Sequence, residues 1–137
     1  MEKETINLLI KEAKKARKLA YAPYSNFRVG AALLTKSGKI YTGCNVENAS
    51  YGATVCAERV AMFKAVSEGE RDFEAIAVYV ETEKLAFPCA LCRQVMYEFS
   101  PDMKIISANK DKYEVRTLNE LFPYPFGPKD LLKSGGN

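Results

Sequence analysis

The chain has no histidine and no tryptophan among its 137 residues. Without imidazole, a transition-metal site has to be built from thiolates or carboxylates, and a general base has to be some other group. Long apolar runs are also missing. No stretch approaches the roughly 18 residues that a membrane helix requires. The N-terminal MEKETINLLIKEAKKARKLA lacks the uninterrupted apolar segment of a secretory signal. The expectation is a cytoplasmic chain, in a compartment that keeps thiols reduced. A strong excess of one charge is absent too. The net charge of +3 is too small to argue for nucleic acid or a membrane surface as partner. Repeats, low-complexity tracts and Ser/Gly-rich linkers are lacking, so residues 1–137 read as a single domain with a loose end at 134–137. Asn48-Ala49-Ser50 fits the glycosylation sequon, but without secretion it reads as a chance match.

What is present suits a folded domain. Apolar residues make up 47% and charged residues 27%, ordinary values for a globular protein. A chain of this length buries roughly two-thirds of its unfolded surface, so it needs no disulfides to fold. Ile6, Leu9, Ile10, Ala13, Ala16 and Ala20 recur at helical spacing, which predicts an amphipathic helix over 4–20 with its lysines solvated. Strands are expected at 27–36 and 39–47, joined by a hairpin turn at Ser37-Gly38. A helix is expected over 56–68, ending at Gly69, then a buried strand over 73–82 and a second helix over 89–99. Two more strands, 103–108 and 113–117, follow. The proline-rich 121–128 can be neither a regular helix nor a central strand. Strands alternating with helices in this order predict a three-layer α/β/α fold on a mixed sheet of about five strands.

The four cysteines are Cys44, Cys56, Cys89 and Cys92. Cys89 and Cys92, three apart at a predicted helix start, share one face of its first turn. Cys56 opens the other helix. Helix N-termini favour thiolates, so all three sit where ionisation is expected. Glu58 stands two residues after Cys56. Positions two apart do not share a helix flank, so both reach one site only if it lies over the helix end. Three thiolates and a nearby carboxylate describe a catalytic zinc site, which keeps a fourth position for water. Zinc lowers the pKa of that water, whereas three thiolates work against its ionisation. Arg59 and Arg93, each beside a motif residue, are candidates to offset their charge.

Other readings stand beside these. Pro88-Cys89-Ala90-Leu91-Cys92 alone would equally suit a redox pair at a helix start, and Cys56-Ala57-Glu58 is what favours zinc. Cys44 reads as a small buried hydrophobe. It alternates with Tyr41, Gly43, Asn45 and Glu47 and faces away from them. Glu58 alone would be a solvated first-turn carboxylate, and Phe27 alone a core residue. Asn45 and Glu47 end a strand expected to be buried on both faces, so either a ligand or an internal ion pair accounts for Glu47.

Taken together, these segments resemble the cytidine deaminases that act on free nucleosides, in their short, all-cysteine form. The resemblance covers nearly the whole chain. It includes Tyr21-Ala-Pro-Tyr-Ser-Asn-Phe-Arg-Val-Gly-Ala31, Gly43-Cys-Asn-Val-Glu-Asn-Ala49, Thr54-Val-Cys-Ala-Glu-Arg59, Pro88-Cys-Ala-Leu-Cys-Arg-Gln94 and Pro125-Phe-Gly-Pro128. The Cys-x-Glu and Pro-Cys-x-x-Cys pair by itself marks only the wider zinc deaminases. Some members carry histidine where this chain has Cys56.

The resemblance implies that Cys56, Cys89 and Cys92 bind one zinc ion. It implies hydrolytic attack at C4 of cytidine or 2′-deoxycytidine, with Glu58 protonating N3 and carrying a proton to the leaving amine. It assigns Asn45 and Glu47 to a ribose hydroxyl, Phe27 to stacking near the base, and Ala57 to backbone contacts with the base edge. Tyr51 and Phe126 would complete a neighbouring subunit's pocket, which implies a homotetramer. A carboxylate at the sugar repels phosphate, so Glu47 favours a nucleoside over a nucleotide or nucleic acid. Three rivals are a structural-zinc or redox protein, a nucleic-acid-editing deaminase, and a deaminase of another aminopyrimidine such as the blasticidin type. The missing basic face disfavours the second. Asn45-Val46-Glu47-Asn48 and the Phe-Gly-Pro tail favour cytidine over the third.

Overall fold

The computed structural model describes residues 1–132, so the expected loose end at 134–137 lies outside the described residues. The elements are α1 (Lys3–Arg17), β1 (Gly30–Thr35), β2 (Ile40–Cys44), a 3₁₀ turn at Tyr51–Ala53, α2 (Ala57–Ser67), β3 (Phe73–Tyr79), α3 (Ala90–Phe99), β4 (Lys104–Ala108), β5 (Tyr113–Thr117), α4 (Leu118–Leu121) and α5 (Pro128–Leu132). The five strands form one mixed sheet in the order β2-β1-β3-β4-β5. Only β3 and β4 pair in parallel; the other neighbours are antiparallel.

Strand alternation divides the core into two layers. On one face Ala32, Ala75, Ala77 and Ala108 make a shallow bed for Ile6, Leu9 and Ala13 of α1. On the other, Ala31, Leu33, Ile76, Val78 and Ile105 pack against Ala57, Ala61, Met62 and Ala65 of α2 and against Cys92 and Met96 of α3. This is the expected three-layer α/β/α architecture. Among the described residues no helix is long and apolar enough to cross a membrane.

Topology brings the cysteines together. β1 is antiparallel to both β2 and β3, so β2 and β3 run in the same direction. The helices that follow them, α2 and α3, therefore start at the same end of the sheet. Gly43 sets the height of α2 above β2. A Cβ there would lie 2.5 Å from the carbonyl oxygen of Ala57 and 2.7 Å from the amide nitrogen of Ala61, so only glycine allows this approach.

Two expectations change. β2 is an edge strand that alternates between buried and half-buried residues rather than a strand buried on both faces: Tyr41 and Gly43 lie under α2, whereas the face of Ile40, Thr42 and Cys44 is only partly covered. Regular pairing of β1 begins only at Gly30, since Asn26 adopts a left-handed φ of 57° that turns the preceding segment out of the strand direction. The proline-rich tail is irregular as expected, with a short helix on either side of it. Thr117 and Glu120 form a reciprocal capping box that starts α4, and Pro128 opens α5, where its missing N–H costs nothing. The proline-bearing 122–127 between them is irregular.

Candidate active site

Cys56 and Cys89 are the N-cap residues of α2 and α3. Each sits just outside its helix with its thiol over the helix end. Cys92, on the first turn of α3, is fully buried. The Sγ atoms of Cys56 and Cys89 are 3.7 Å apart and those of Cys89 and Cys92 3.5 Å. All three lie within 4.8 Å of one another, the one such group of potential metal ligands among the described residues. A tetrahedral zinc with Zn–S bonds near 2.3 Å requires sulfur separations of about 3.8 Å. The triangle therefore fits zinc, with a fourth position left for a non-protein ligand. Cys44 stands apart on β2, half-buried, and burial pushes its thiol pKa up.

Electrostatics separates Cys56 from Cys92. Cys56 is lowered to about 5, first by the Cys92 thiol that hydrogen-bonds its thiolate and then by Arg59. Cys92 is raised far above an ordinary thiol, first by that same bond and then by burial. Without a cation, the Cys92 thiol donates to the Cys56 thiolate, so the two share one proton. The arginines divide as well. Arg59 Nη2 lies 3.6 Å from Cys56 Sγ. Arg93 points the other way, donating to the carbonyl oxygen of Leu121 with its guanidinium 5.9 Å from the Phe122 ring centroid.

Glu58 is only 4% exposed. Burial raises its carboxyl pKa to about 7, opposed in part by its own backbone amide and by Arg59 and reinforced by the Cys56 thiolate. It shares with Cys56, Ala57 and Cys89 the wall of a cavity of about 200 Å³, which Phe27, Val29, Asn45, Val78 and Phe87 help to close. A second cavity of about 210 Å³ is lined by Tyr24, Ser25, Glu47, Asn48, Tyr51 and Thr54. Thr54 lines both, so the two adjoin.

A hydrogen-bonded loop forms the boundary between them. The Asn45 side chain donates to the carbonyl oxygen of Phe27 at 2.8 Å and accepts from the amide of Val29 at 2.9 Å. Glu47 accepts from the amides of Tyr24 and Ser25 at 2.9 and 3.1 Å and from the Ser25 hydroxyl. Those donors, the hydroxyl first, hold its carboxyl below the usual range. Neither ion pair found among the described residues involves Glu47. Tyr51 is 80% exposed at the rim of the second cavity; Phe126 is 56% exposed, and Gln94 Nε2 donates to its carbonyl oxygen at 2.6 Å. Sequence reasoning missed Ser25, Thr54 and Phe87. Phe87 had a signal in its place before Pro88-Cys89. The other two are ordinary polar residues that only the folded loop brings to the cavities.

Comparison with known proteins agrees with this geometry. Residues 3–108 match the family described as the cytidine and deoxycytidylate deaminase zinc-binding region. The chain is 54% identical over 127 residues to a cytidine deaminase of Halalkalibacterium halodurans, covering 90% of this chain and 96% of that one. The crystal structure of cytidine deaminase from Burkholderia pseudomallei superposes with a TM-score of 0.85 at 48% identity, covering 92% of this chain and all of the other. That from Mycobacterium tuberculosis gives 0.78 at 39%, covering 88% and 96%. With three thiols spaced for zinc, a buried glutamate beside them and likeness along nearly its full length, the chain belongs to the cytidine deaminase family, in its short type with a three-cysteine zinc site.

Proposed function

We propose that this chain hydrolytically deaminates cytidine and 2′-deoxycytidine to uridine and 2′-deoxyuridine, releasing ammonia, as a step of pyrimidine salvage carried out by a single domain. One observation carries the reading: Cys56 and Cys89 share the wall of one small cavity with the buried Glu58 carboxyl, and the Cys92 sulfur lies within 4.8 Å of theirs. Cys56, Cys89 and Cys92 hold the metal. Zinc in that site supplies Lewis-acid activation of water near neutral pH. Glu58 takes a proton from the attacking water and passes it to N3 of the ring. It then carries a second proton to the exocyclic amine as the C4–N bond breaks and C4–O remains. A carboxyl poised near neutrality is suited to both transfers.

The remaining wall residues bind and orient. Phe27 lines the cavity where a base can stack, and Ala57 at the start of α2 lines the same cavity, where its backbone can meet the base edge. Asn45 and Glu47 stand between the cavities, where a ribose hydroxyl would lie. Arg59 offsets the charge of the thiolates it touches, while Arg93 serves the tail. The exposed aromatic rings of Tyr51 and Phe126 support a homotetramer in which each completes a neighbour's pocket. Free thiols at a metal site suit a cytoplasmic protein. Cavities this small, the second with the Glu47 carboxylate at its wall, suit a free nucleoside rather than a nucleotide or nucleic acid.

A substrate panel tests this. Purified protein of measured zinc content is given cytidine, 2′-deoxycytidine, cytidine 5′-monophosphate and blasticidin S, and loss of the amino group is followed by ultraviolet absorbance. Turnover of the two nucleosides, with the monophosphate at least about a hundredfold poorer, is expected. Preference for blasticidin S or the monophosphate would contradict the proposal.

A further inference from the structure

The residues that touch Glu47 and Phe27 converge on one hydroxyl. Ser25 Oγ donates to Glu47 Oε2 and accepts from the amide of Phe27 at 3.0 Å. The left-handed Asn26 between Ser25 and Phe27 folds the chain so that one side chain reaches both neighbours, and its own amide is tied to the carbonyl oxygen of Ala22 at 2.9 Å. An ionised carboxylate has about four acceptor positions. In Glu47, Oε1 takes the amides of Tyr24 and Ser25, and Oε2 takes the Ser25 hydroxyl. One position remains, on Oε2, beside the second cavity.

We propose that Ser25 is a positioning residue that fixes Glu47 as an acceptor for a single sugar hydroxyl while holding Phe27 at the base cavity. This rests on the nucleoside reading above. The physical content is specific. With three of its four positions filled by the protein, Glu47 cannot turn to accept elsewhere. A sugar lacking the hydroxyl, or carrying an acceptor in its place, leaves that last lone pair unmatched. Because the same hydroxyl holds the Phe27 backbone, sugar recognition and base stacking move together. Ser25 acts through these two residues; it does not touch the reacting atoms.

The test compares Ser25→Ala, Glu47→Gln and the double variant as zinc-loaded enzymes. Losing a hydrogen bond to a charged group raises KM for cytidine by roughly tenfold or more, with kcat within about threefold and zinc content unchanged. In the Glu47→Gln background the Ser25→Ala effect on KM falls below about twofold, because the pair acts as a unit. The preference for cytidine over 2′-deoxycytidine or 3′-deoxycytidine, whichever the parent discriminates more strongly, narrows in Ser25→Ala. If Ser25→Ala fails to fold, judged by lost zinc, the isosteric pair Ser25→Thr and Ser25→Val carries the comparison, and only the valine variant should show the raised KM. A parent active on cytidine whose KM is unmoved by loss of the hydroxyl, or whose two penalties simply add, overturns the role of Ser25 alone. A zinc-loaded parent inactive on cytidine overturns the nucleoside reading and this role with it.

Discussion

At the scale of single residues, the site depends on how three thiols and one carboxyl share protons and charge. In the metal-free protein Cys56 is lowered to about 5 by the Cys92 bond and Arg59, while Cys92 stays protonated. The Cys56 thiolate therefore persists from alkaline pH down to about 5 and is lost as pH falls through that value. Iodoacetamide at pH 6.5 should modify Cys56 in the zinc-free protein well before Cys44, whose thiol burial pushes the other way. Mass spectrometry of the digested adduct reads this, and preferential labelling of Cys44 would count against it. Zinc must displace the Cys92 proton, so its affinity should rise with pH through neutrality by at least one proton's worth per ion bound. Arg59→Gln should weaken zinc binding by roughly 10–100-fold, whereas Arg93→Gln should leave it near the parent value, as a chelator competition would show. Sequence placed both arginines equally, each adjacent to a motif residue. Which way each side chain runs depends on the tail that packs beside α3, and no local spacing encodes that.

Among the elements, the site is a product of connection and close approach. The helices α2 and α3 present Cys56 and Cys89 at one end of the sheet because the strands before them run the same way. Gly43 determines how near α2 lies. Gly43→Ala should cost about 1–3 kcal/mol in urea unfolding and, by pushing away the start of α2, should reduce both zinc content and turnover. Gly38→Ala is the control. Gly38 has φ of 94° with open space around it, so an alanine strains the hairpin turn by about 1 kcal/mol without reaching the site, and zinc content should hold. Equal loss of zinc in both variants would mean that stability alone, not the seat of α2, governs the site. The element order was legible in the sequence because periodicity and turn residues agreed: near-continuous apolar runs for β1 and β3, helical spacing in α1, glycine at the end of α2. The edge position of β2 was not, since strand order is a tertiary choice. The loop from Tyr24 to Phe27 also escaped, because a left-handed asparagine and a serine hydroxyl leave no periodic trace. The Cys-x-Glu and Pro-Cys-x-x-Cys spacings were legible because a metal dictates them.

For the whole molecule, the exposed aromatics suggest that a site is finished by another copy. Tyr51 and Phe126 both expose most of their surface. If Phe126 completes a neighbour's pocket, Glu58→Gln and Phe126→Ala chains, each impaired alone, should recover activity when dissociated together and reassociated, since one mixed site then has both groups intact. No recovery, with mixed oligomers verified by native mass spectrometry, would place Phe126 in its own chain's site. The central claim is simpler still: a buried carboxyl beside a three-thiol zinc centre moves protons during deamination. The measurement that tests it most directly is the kcat of Glu58→Gln on cytidine, taken with zinc content and folding verified equal to the parent. A fall of at least about 10²-fold, and up to about 10⁴-fold, is expected with zinc retained. A variant that keeps its zinc and turns over cytidine at the parent's rate would contradict it.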